Sequence, residues 1–488
     1  MIFSLINHDF KYELEKVCRL FLPFEKFEFV DYEVCTGNYV LTQIKSDTDK
    51  TCLKTAVSAD GRYIEKQRET ASDVDKREYE LIMAQLLYLC LCELTGFQVE
   101  WGILTGVRPA RLLSNICGEM GKQKGLEFFK TQLFVSDAKA KLCQTCLEHE
   151  QEIISRSRGN SFSLYISIPF CPSRCSYCSF VSHSVAAAKK LIPEYVELLC
   201  EEIRQTAAIA YDCGLQLQTV YIGGGTPTIL EADQLERIMK EIAYNFDLSR
   251  VEEYTVEAGR PDTITDKKLI VIRENAATRI SINPQTMNDR VLKAIGRGHN
   301  SEQTQQAFKM ARDLGFNNIN MDLIAGLSTD TYESFKGSVD KLIELQPESI
   351  TVHTLSLKRA SNLMKQALFY GIEQGATAAK MQEYSRIRLS EAGLVPYYMY
   401  RQGKTVGNLE NVGYARPGFE GIYNVYIMDE THTILACGAS AVTKLRQPNG
   451  DKIERIFNYK YPYEYISGFD EMIRRKKKIK TFYEKYHK

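Results

Sequence analysis

A charge imbalance is the first thing missing from this 488-residue chain: 62 acidic and 62 basic side chains cancel. That removes the global signal of a protein held on nucleic acid or on an acidic membrane. Long apolar runs are equally scarce. The longest, Leu81 to Cys92, contains Gln85 and is too short to span a bilayer, so a buried helix is expected there. The opening residues reach Asp9 without a basic stretch, an expectation against a secretory signal. Fourteen cysteines are present, but they are scattered and unaccompanied by an export signal, so they are not a disulfide framework. Reduced thiols and a cytoplasmic location are expected.

What is present is a change of rhythm along the chain. Residues 1 to about 105 read as a small α+β region. It has helical spacing over Asp9–Phe21, alternation over Tyr39–Ile44, and an Asp60-Gly61 hairpin turn between Leu53–Val57 and Tyr63–Gln67. A long helix is predicted over Lys76–Leu94, then a wholly helical stretch over 106–156 opened by Val107-Arg108-Pro109. From Phe162, strand, loop and helix repeat. Strands are predicted at Leu164–Ile168, Thr219–Ile222, Tyr254–Glu257, Arg279–Ile282, Asn318–Leu323 and Ser349–Leu355.

Six such units argue for an α/β fold, a parallel sheet curled into a partial (β/α)6 barrel. Ligands of such folds meet the carboxyl ends of the strands. The last hundred residues revert to a mixed pattern: a strand and turn over Tyr397–Gly407, a hairpin of Ile422–Met428 with Thr433–Ala436, and a closing helix over Pro462–Arg475. The expected division is 1–156, an N-terminal α+β and helical region; 157–385, the barrel core; and 386–488, a small C-terminal domain. The basic run from Arg474 to Lys480 reads as a solvated helix end.

After the first barrel strand come Cys171, Cys175 and Cys178, in Cys-x3-Cys-x2-Cys spacing. Three thiolates on one loop suit three corners of an iron–sulfur cube. A structural zinc site normally closes with four ligands. Here no fourth cysteine is near, and residue 180 is Phe180. Three ligands imply one open iron, and an open iron implies chemistry. Buried thiols in a packed turn are the bland alternative.

The later strand ends are polar. The second runs into Gly223-Gly224-Gly225-Thr226, where the backbone can approach a ligand and offer its N–H and C=O groups. This is neither G-x-G-x-x-G nor a phosphate loop with its Lys-Ser/Thr pair, and an ordinary tight βα turn fits it as well. The third strand ends at Glu257, a carboxylate able to accept paired hydroxyls, as acids do on a ribose. Gln285, Arg297 and Asp322 follow at the next two. Each alone fits a salt bridge or turn equally well; their convergence on one mouth argues for a site.

Together these motifs resemble the radical S-adenosylmethionine superfamily and, within it, the oxygen-independent coproporphyrinogen III oxidase family, from about Tyr165 to Leu355 and more loosely onward. The first 156 residues, Trp101-Gly-Ile-Leu-Thr-Gly-Val-Arg-Pro and Gly407-Asn-Leu-Glu-Asn-Val-Gly-Tyr-Ala are similar to the longer, HemZ-like coproporphyrinogen dehydrogenase branch. The resemblance implies a radical-SAM barrel followed by a HemN-type C-terminal domain. It makes Cys171, Cys175 and Cys178 the ligands of a [4Fe-4S] cluster whose open iron binds the amine and carboxylate of S-adenosyl-L-methionine (SAM). It gives Gly223, Gly224, Gly225 and Thr226 backbone contact with the methionyl part, and sets Tyr165 and Tyr177 beside cluster and cofactor. Glu257, Gln285, Arg297 and Asp322 match the remaining cofactor contacts.

The chemistry implied is reductive cleavage of SAM to a 5′-deoxyadenosyl radical, which takes hydrogen from a propionate of coproporphyrinogen III. Loss of an electron and carbon dioxide leaves a vinyl group, and two rounds give protoporphyrinogen IX. The implied partners are coproporphyrinogen III or haem and an electron donor such as flavodoxin or ferredoxin, with no nucleic acid and no membrane span. Arg174 and Arg401 are candidate cations for the substrate's carboxylates.

Two positions depart from the oxidase pattern. Phe180 stands where oxidases carry a fourth cysteine, and Ser167 where they carry a histidine. Phe180 agrees instead with related haem chaperones (HemW-like), which keep the cluster and hand over haem. Their His-Asn motif near a tyrosine-tryptophan pair is here Tyr423-Asn424, with no tryptophan after Trp101. A haem chaperone and a radical methyltransferase are therefore the alternatives. Elsewhere, Cys143, Cys146 and His149 have metal-like spacing, but on a helix these steps predict buried thiols along one face. His299 is expected to shape the site, and His353 to be a hydrogen-bonded core residue.

Overall fold

The computed structural model describes residues 1–23, 25–178, 183–356, 367–448 and 450–486. They form two compact units: Met1–Thr145 with Leu363–Ala379 and Tyr400–Glu410, and Cys146–Asn362 with Lys380–Met399 and Asn411–Lys488.

The first unit is built on β1 (Ile2–Ile6), β2 (Glu28–Val30), β3 (Tyr39–Ser46), β4 (Lys50–Ala59) and β5 (Arg62–Ala71), in the order β2-β1-β3-β4-β5. Asp60 and Gly61 both take positive φ, 51° and 77°, so β4 and β5 close with the two-residue turn whose twist matches the strands. The apolar helix Lys76–Thr95 packs on β4 and β5, which explains its hydrophobic length without a membrane. Helices Pro109–Met120, Lys122–Thr131 and the first part of Asp137–Ile154 follow as expected. The single tryptophan, Trp101, is fully buried and donates to Glu410 Oε2 at 2.7 Å, while Lys139 Nζ reaches Glu410 Oε1 at 2.6 Å. Arg401 is buried here too, donating to Leu104 O at 2.7 Å and lying over the Trp101 ring.

The second unit contains β6 (Ser161–Ile168), a short pair β7 (Phe170–Cys171) and β8 (His183–Ser184), then β9 (Gln216–Gly224), β10 (Glu253–Gly259), β11 (Arg279–Gln285), β12 (Ile319–Ala325) and β13 (Ser349–Thr354). Strands β14 (Val395–Arg401), β15 (Glu410–Ala415), β16 (Thr433–Cys437), β17 (Val442–Arg446) and β18 (Ile453–Phe457) extend the same sheet. Its order is β14-β15-β13-β12-β11-β10-β9-β6-β16-β17-β18. From β6 through β13 every neighbour in that order is parallel, which is the expected curled barrel sheet. Helices Ile192–Asp212, Ala232–Asn245, Asp266–Glu274, Ser301–Asp313 and Tyr332–Leu345 make the crossovers.

Alternation decides which way each residue faces. Leu164, Ile166, Val220, Ile222, Val256, Ile280, Met321, Ile350 and Val352 are buried on the helix-covered side. Their alternates meet each other instead: Thr219 donates to Ser163, Arg279 to Ser349, Asn320 to Ser281, and Thr351 to Asn320. The inner face is thus a hydrogen-bonded polar ladder rather than a branched-aliphatic core.

Three C-terminal expectations are corrected. Ile422–Met428 is no strand: Ile422–Asp429 is a helix, and Thr433–Ala436 belongs to β16, which pairs in parallel with β6. A short apolar aromatic run carries no period that separates a buried helix from a strand, and this helix lies against the inner sheet face, where Glu253 accepts the Ile422 N–H. The closing helix breaks at Gly468 into Pro462–Ser467 and Phe469–Tyr486. Within its basic run Lys476 is not solvated; it is buried against Glu202 at 3.1 Å. Cys143 and Cys146 are buried helix thiols, as expected. Among the described residues no helix is long and apolar enough to cross a membrane.

Candidate active site

The cysteine loop leaves β6 and is held from below by two arginines. Arg260, buried at the end of β10, grips Asp262 through Nε and Nη2 at 2.9 and 2.7 Å. Its remaining nitrogen donates to Ser173 Oγ at 2.7 Å, midway between Cys171 and Cys175. Ser173 in turn donates to Gly296 O, and Ser176 N–H to Ile295 O at 3.1 Å. Arg297 donates to the Tyr177 hydroxyl from Nη2 at 2.7 Å and from Nε at 3.2 Å. Cys178 N–H closes a turn on Cys175 O. Cys175 is buried, whereas Cys171 and Cys178 are half-buried. Phe180 lies outside the described residues.

The glycine turn presses directly on this loop. A Cβ on Gly225 would sit 2.5 Å from Phe170 O and 3.0 Å from Cys171 Sγ, and one on Gly223 3.1 Å from the Glu257 carboxyl carbon. Thr226 Oγ1 points at Cys171 Sγ at 3.5 Å. One expectation changes here. The N–H groups of Gly225 and Thr226 are not offered outward but bond Ile168 O and Phe170 O at 2.7 and 2.8 Å. Gly225 is required by its close approach to the cysteine loop, Gly224 by its positive φ and its approach to Ile168, and Gly223 by its approach to Tyr221 and Glu257.

Deeper in, two carboxylates are driven apart. Tyr221 donates to Glu257 Oε1 at 2.5 Å. Glu257 is half-buried; desolvation, opposed by the Tyr221 bond and reinforced by Asp322, pushes its pKa up to about 7. Asp322 is half-buried, and desolvation would raise it, but His353 and the 2.7 Å bond from Asn320 Nδ2 outweigh that and hold it below the usual carboxylate range. His353 is not a closed core residue. It is half-buried on β13, with Nε2 3.7 Å from Asp322 Oδ2. Gln285 ends β11 where the register with β12 shifts, buried and at φ 70°. That conformation is costly for a side-chain-bearing residue and concentrates at functional sites. His299 is buried 3.7 Å from Asp262, behind the loop rather than in the mouth.

Three tyrosines form a stack. The Tyr423 ring lies 4.5 Å from that of Tyr221, and Tyr165 is 6.2 Å from both. The Tyr423 hydroxyl is buried without a hydrogen-bond partner. Sequence reasoning named Tyr165, and Tyr423 only as standing at the chaperones' His-Asn motif, but missed Tyr221, Arg260 and Asp262. Tyr221 reads as an ordinary strand former, and Tyr423 sat in the misread hairpin. The Arg-Pro-Asp triplet after β10 was the signal that could have exposed the clamp.

Among the described residues no three Cys, His, Asp or Glu side chains gather around a point that would hold a single metal ion. The donor set remains suited to a polynuclear cluster, in which each thiolate binds a different iron.

Comparison with known proteins converges. The radical SAM superfamily matches over residues 165–342. The oxygen-independent coproporphyrinogen-III oxidase-like protein HemZ of Bacillus subtilis (strain 168) is 35% identical over 93% of this chain and 94% of its own length. The heme chaperone HemW of Lactococcus lactis is 34% identical, over 57% of this chain and 69% of that one. The solved coproporphyrinogen III oxidase (HemN) from Escherichia coli, a radical SAM enzyme, superposes with a TM-score of 0.50 over 66% of this chain and 72% of that one, at 23% identity. That likeness bears on the fold alone.

Proposed function

Since this chain belongs to the radical SAM superfamily, whose members use a [4Fe-4S] cluster and SAM, and within it to the HemZ-like coproporphyrinogen-III oxidase-like proteins, we propose that it oxidatively decarboxylates coproporphyrinogen III propionates to vinyl groups without oxygen. The observation that carries this reading is the end-to-end match with HemZ, 94% of that relative's length, which includes the first unit. Cys171, Cys175 and Cys178 would hold the cluster, and their half-buried loop, clamped by Arg260 and Arg297, fits that role. When bound, cluster and SAM supply a one-electron cleavage that yields a hydrogen-abstracting carbon radical.

The chain's own residues bind and orient. Ionised Glu257 accepts the ribose hydroxyls, with Tyr221 fixing its carboxylate. Tyr177 and Arg297 flank the cluster side, and Gln285 and Asp322 complete the cofactor wall. With the N–H groups of Gly225 and Thr226 committed, the turn's contribution to an ammonium is its carbonyls. Burial of the lumen excludes water from the reaction. An oxygen-sensitive cluster of this kind suits a reducing, cytoplasmic setting.

A HemW-like haem chaperone is the second reading, favoured by the HemW relatives. One experiment separates them: anaerobic incubation of cluster-loaded protein with SAM, reductant and coproporphyrinogen III. The enzyme reading predicts 5′-deoxyadenosine and protoporphyrinogen IX, both lost in Cys175→Ala. Stoichiometric haem binding with neither product would replace it by the chaperone.

A further inference from the structure

We propose that the barrel carries a second binding site, at the pole opposite the cysteine loop, for a small α-amino dicarboxylate. The proposal is independent of the reaction assigned to the lumen. A cavity of about 390 Å³ opens at the amino ends of β6 and β9 and just before β10, and its polar lining is Arg158, Ser161, Gln216, Gln218, Arg250 and Glu252. That volume suffices for a small metabolite. The cysteine loop leaves the other end of β6, which spans eight residues, so roughly 23 Å of strand separates the two places.

Gln218 is what distinguishes this cavity from a solvated cleft. Phe162 pairs with Leu217 and Ser163 with Thr219, so Gln218 is the extra residue of a β-bulge. Bulges re-aim side chains and gather beside sites. Gln218 is only 6% exposed. Its Nε2 donates to Glu252 Oε1 at 2.8 Å, to the Tyr426 hydroxyl at 3.0 Å and to Arg156 O at 3.3 Å. A carboxylate and a carbonyl can only accept, which fixes the amide's orientation and leaves Oε1 buried without a partner. That oxygen requires a donor. Exposed Glu252 beside it suits a cation. The other two charges are guanidiniums. Arg158 is exposed and has no side-chain partner among the described residues, and Arg250 commits Nη1 to Gln216 Oε1 at 3.1 Å. Ser161 Oγ is already held by Arg158 N–H, Arg158 O and His432. One ligand answers every open group: two carboxylates for the two guanidiniums, and an ammonium for Gln218 Oε1 and Glu252. Its single net negative charge also offsets the surplus cation of the lining. A simple anion would leave the buried oxygen unanswered, and a simple cation would leave the arginines so.

Titration calorimetry of the full chain with L-glutamate and L-aspartate as probes tests the proposal. The parent protein should bind at least one of them. The matching dicarboxylate without the ammonium, glutarate or succinate, should bind about tenfold or more weakly, because the buried oxygen then stays unpaired. Arg158→Ala should weaken the amino acid by about the same factor. So should Gln218→Met, which removes the unpaired oxygen at similar volume. Thermal melts establish that both variants fold; should Gln218→Met fail to, Arg158→Ala at the surface decides alone. Absence of binding by either amino acid at millimolar concentration overturns the proposal. So does glutarate, succinate or inorganic phosphate binding as tightly as the amino acid, since the cavity would then be an anion-binding patch only. Amino-acid affinity unchanged in Arg158→Ala overturns it as well, because the ligand would then sit elsewhere.

Discussion

Glu257 and Asp322 show how single residues set this site's working state. They lie on β10 and β12, and the same enclosure leaves one carboxyl raised to about 7 and the other depressed. The sign follows from Glu257. Below about pH 7 it is protonated and loses acceptor capacity, so SAM affinity should be weak there, strengthen as pH rises through 7, and level off above it. Tyr221 donates to the ionised form and so lowers this pKa; Tyr221→Phe should move the midpoint upward. Titration calorimetry of SAM binding to cluster-loaded protein across this range checks both, and a pH-independent affinity would remove Glu257 from the cofactor wall. Both acids were legible in the sequence because they close or nearly close the predicted strands, although β10 and β12 run on to Gly259 and Ala325. Tyr221 was not, because its role depends on a lumen that only the curled sheet creates.

At the level of elements, the cysteine loop is as much a product of its neighbours as of its own spacing. Arg260→Gln removes a buried guanidinium from Asp262 and frees Ser173, with an expected cost of about 3 kcal/mol. The reconstituted cluster should also become more labile to oxygen, which iron and sulfide analysis after timed air exposure reads. Gly225→Ala drives a methyl into Phe170 O and the Cys171 thiol, and denaturant unfolding should show a loss of about 1–3 kcal/mol. Strand and crossover order from β6 to β13 was legible because alternation and helical spacing are strong over such lengths. The helix Ile422–Asp429 was not: eight mostly apolar residues packed on a polar sheet face carry no distinguishing period.

For the whole molecule, residues after 410 complete the barrel sheet as well as follow it. Lys476, in the final helix, reaches buried Glu202 on the first crossover helix, and Glu202 also accepts from Gly438 N–H, Asn458 and Tyr465. Lys476→Met should destabilise by about 3–5 kcal/mol in urea unfolding, since an uncompensated carboxylate stays inside. No local pattern announced this, because the partners are far apart in sequence. The site that this frame carries has one central claim: three thiolates hold a cluster with an iron left for SAM. Electron paramagnetic resonance of the anaerobically reduced protein, with and without SAM, tests it most directly. The account predicts a [4Fe-4S] signal that changes on SAM addition and disappears in Cys171→Ala, Cys175→Ala and Cys178→Ala. A signal indifferent to SAM, or one that survives loss of any of these cysteines, would contradict it.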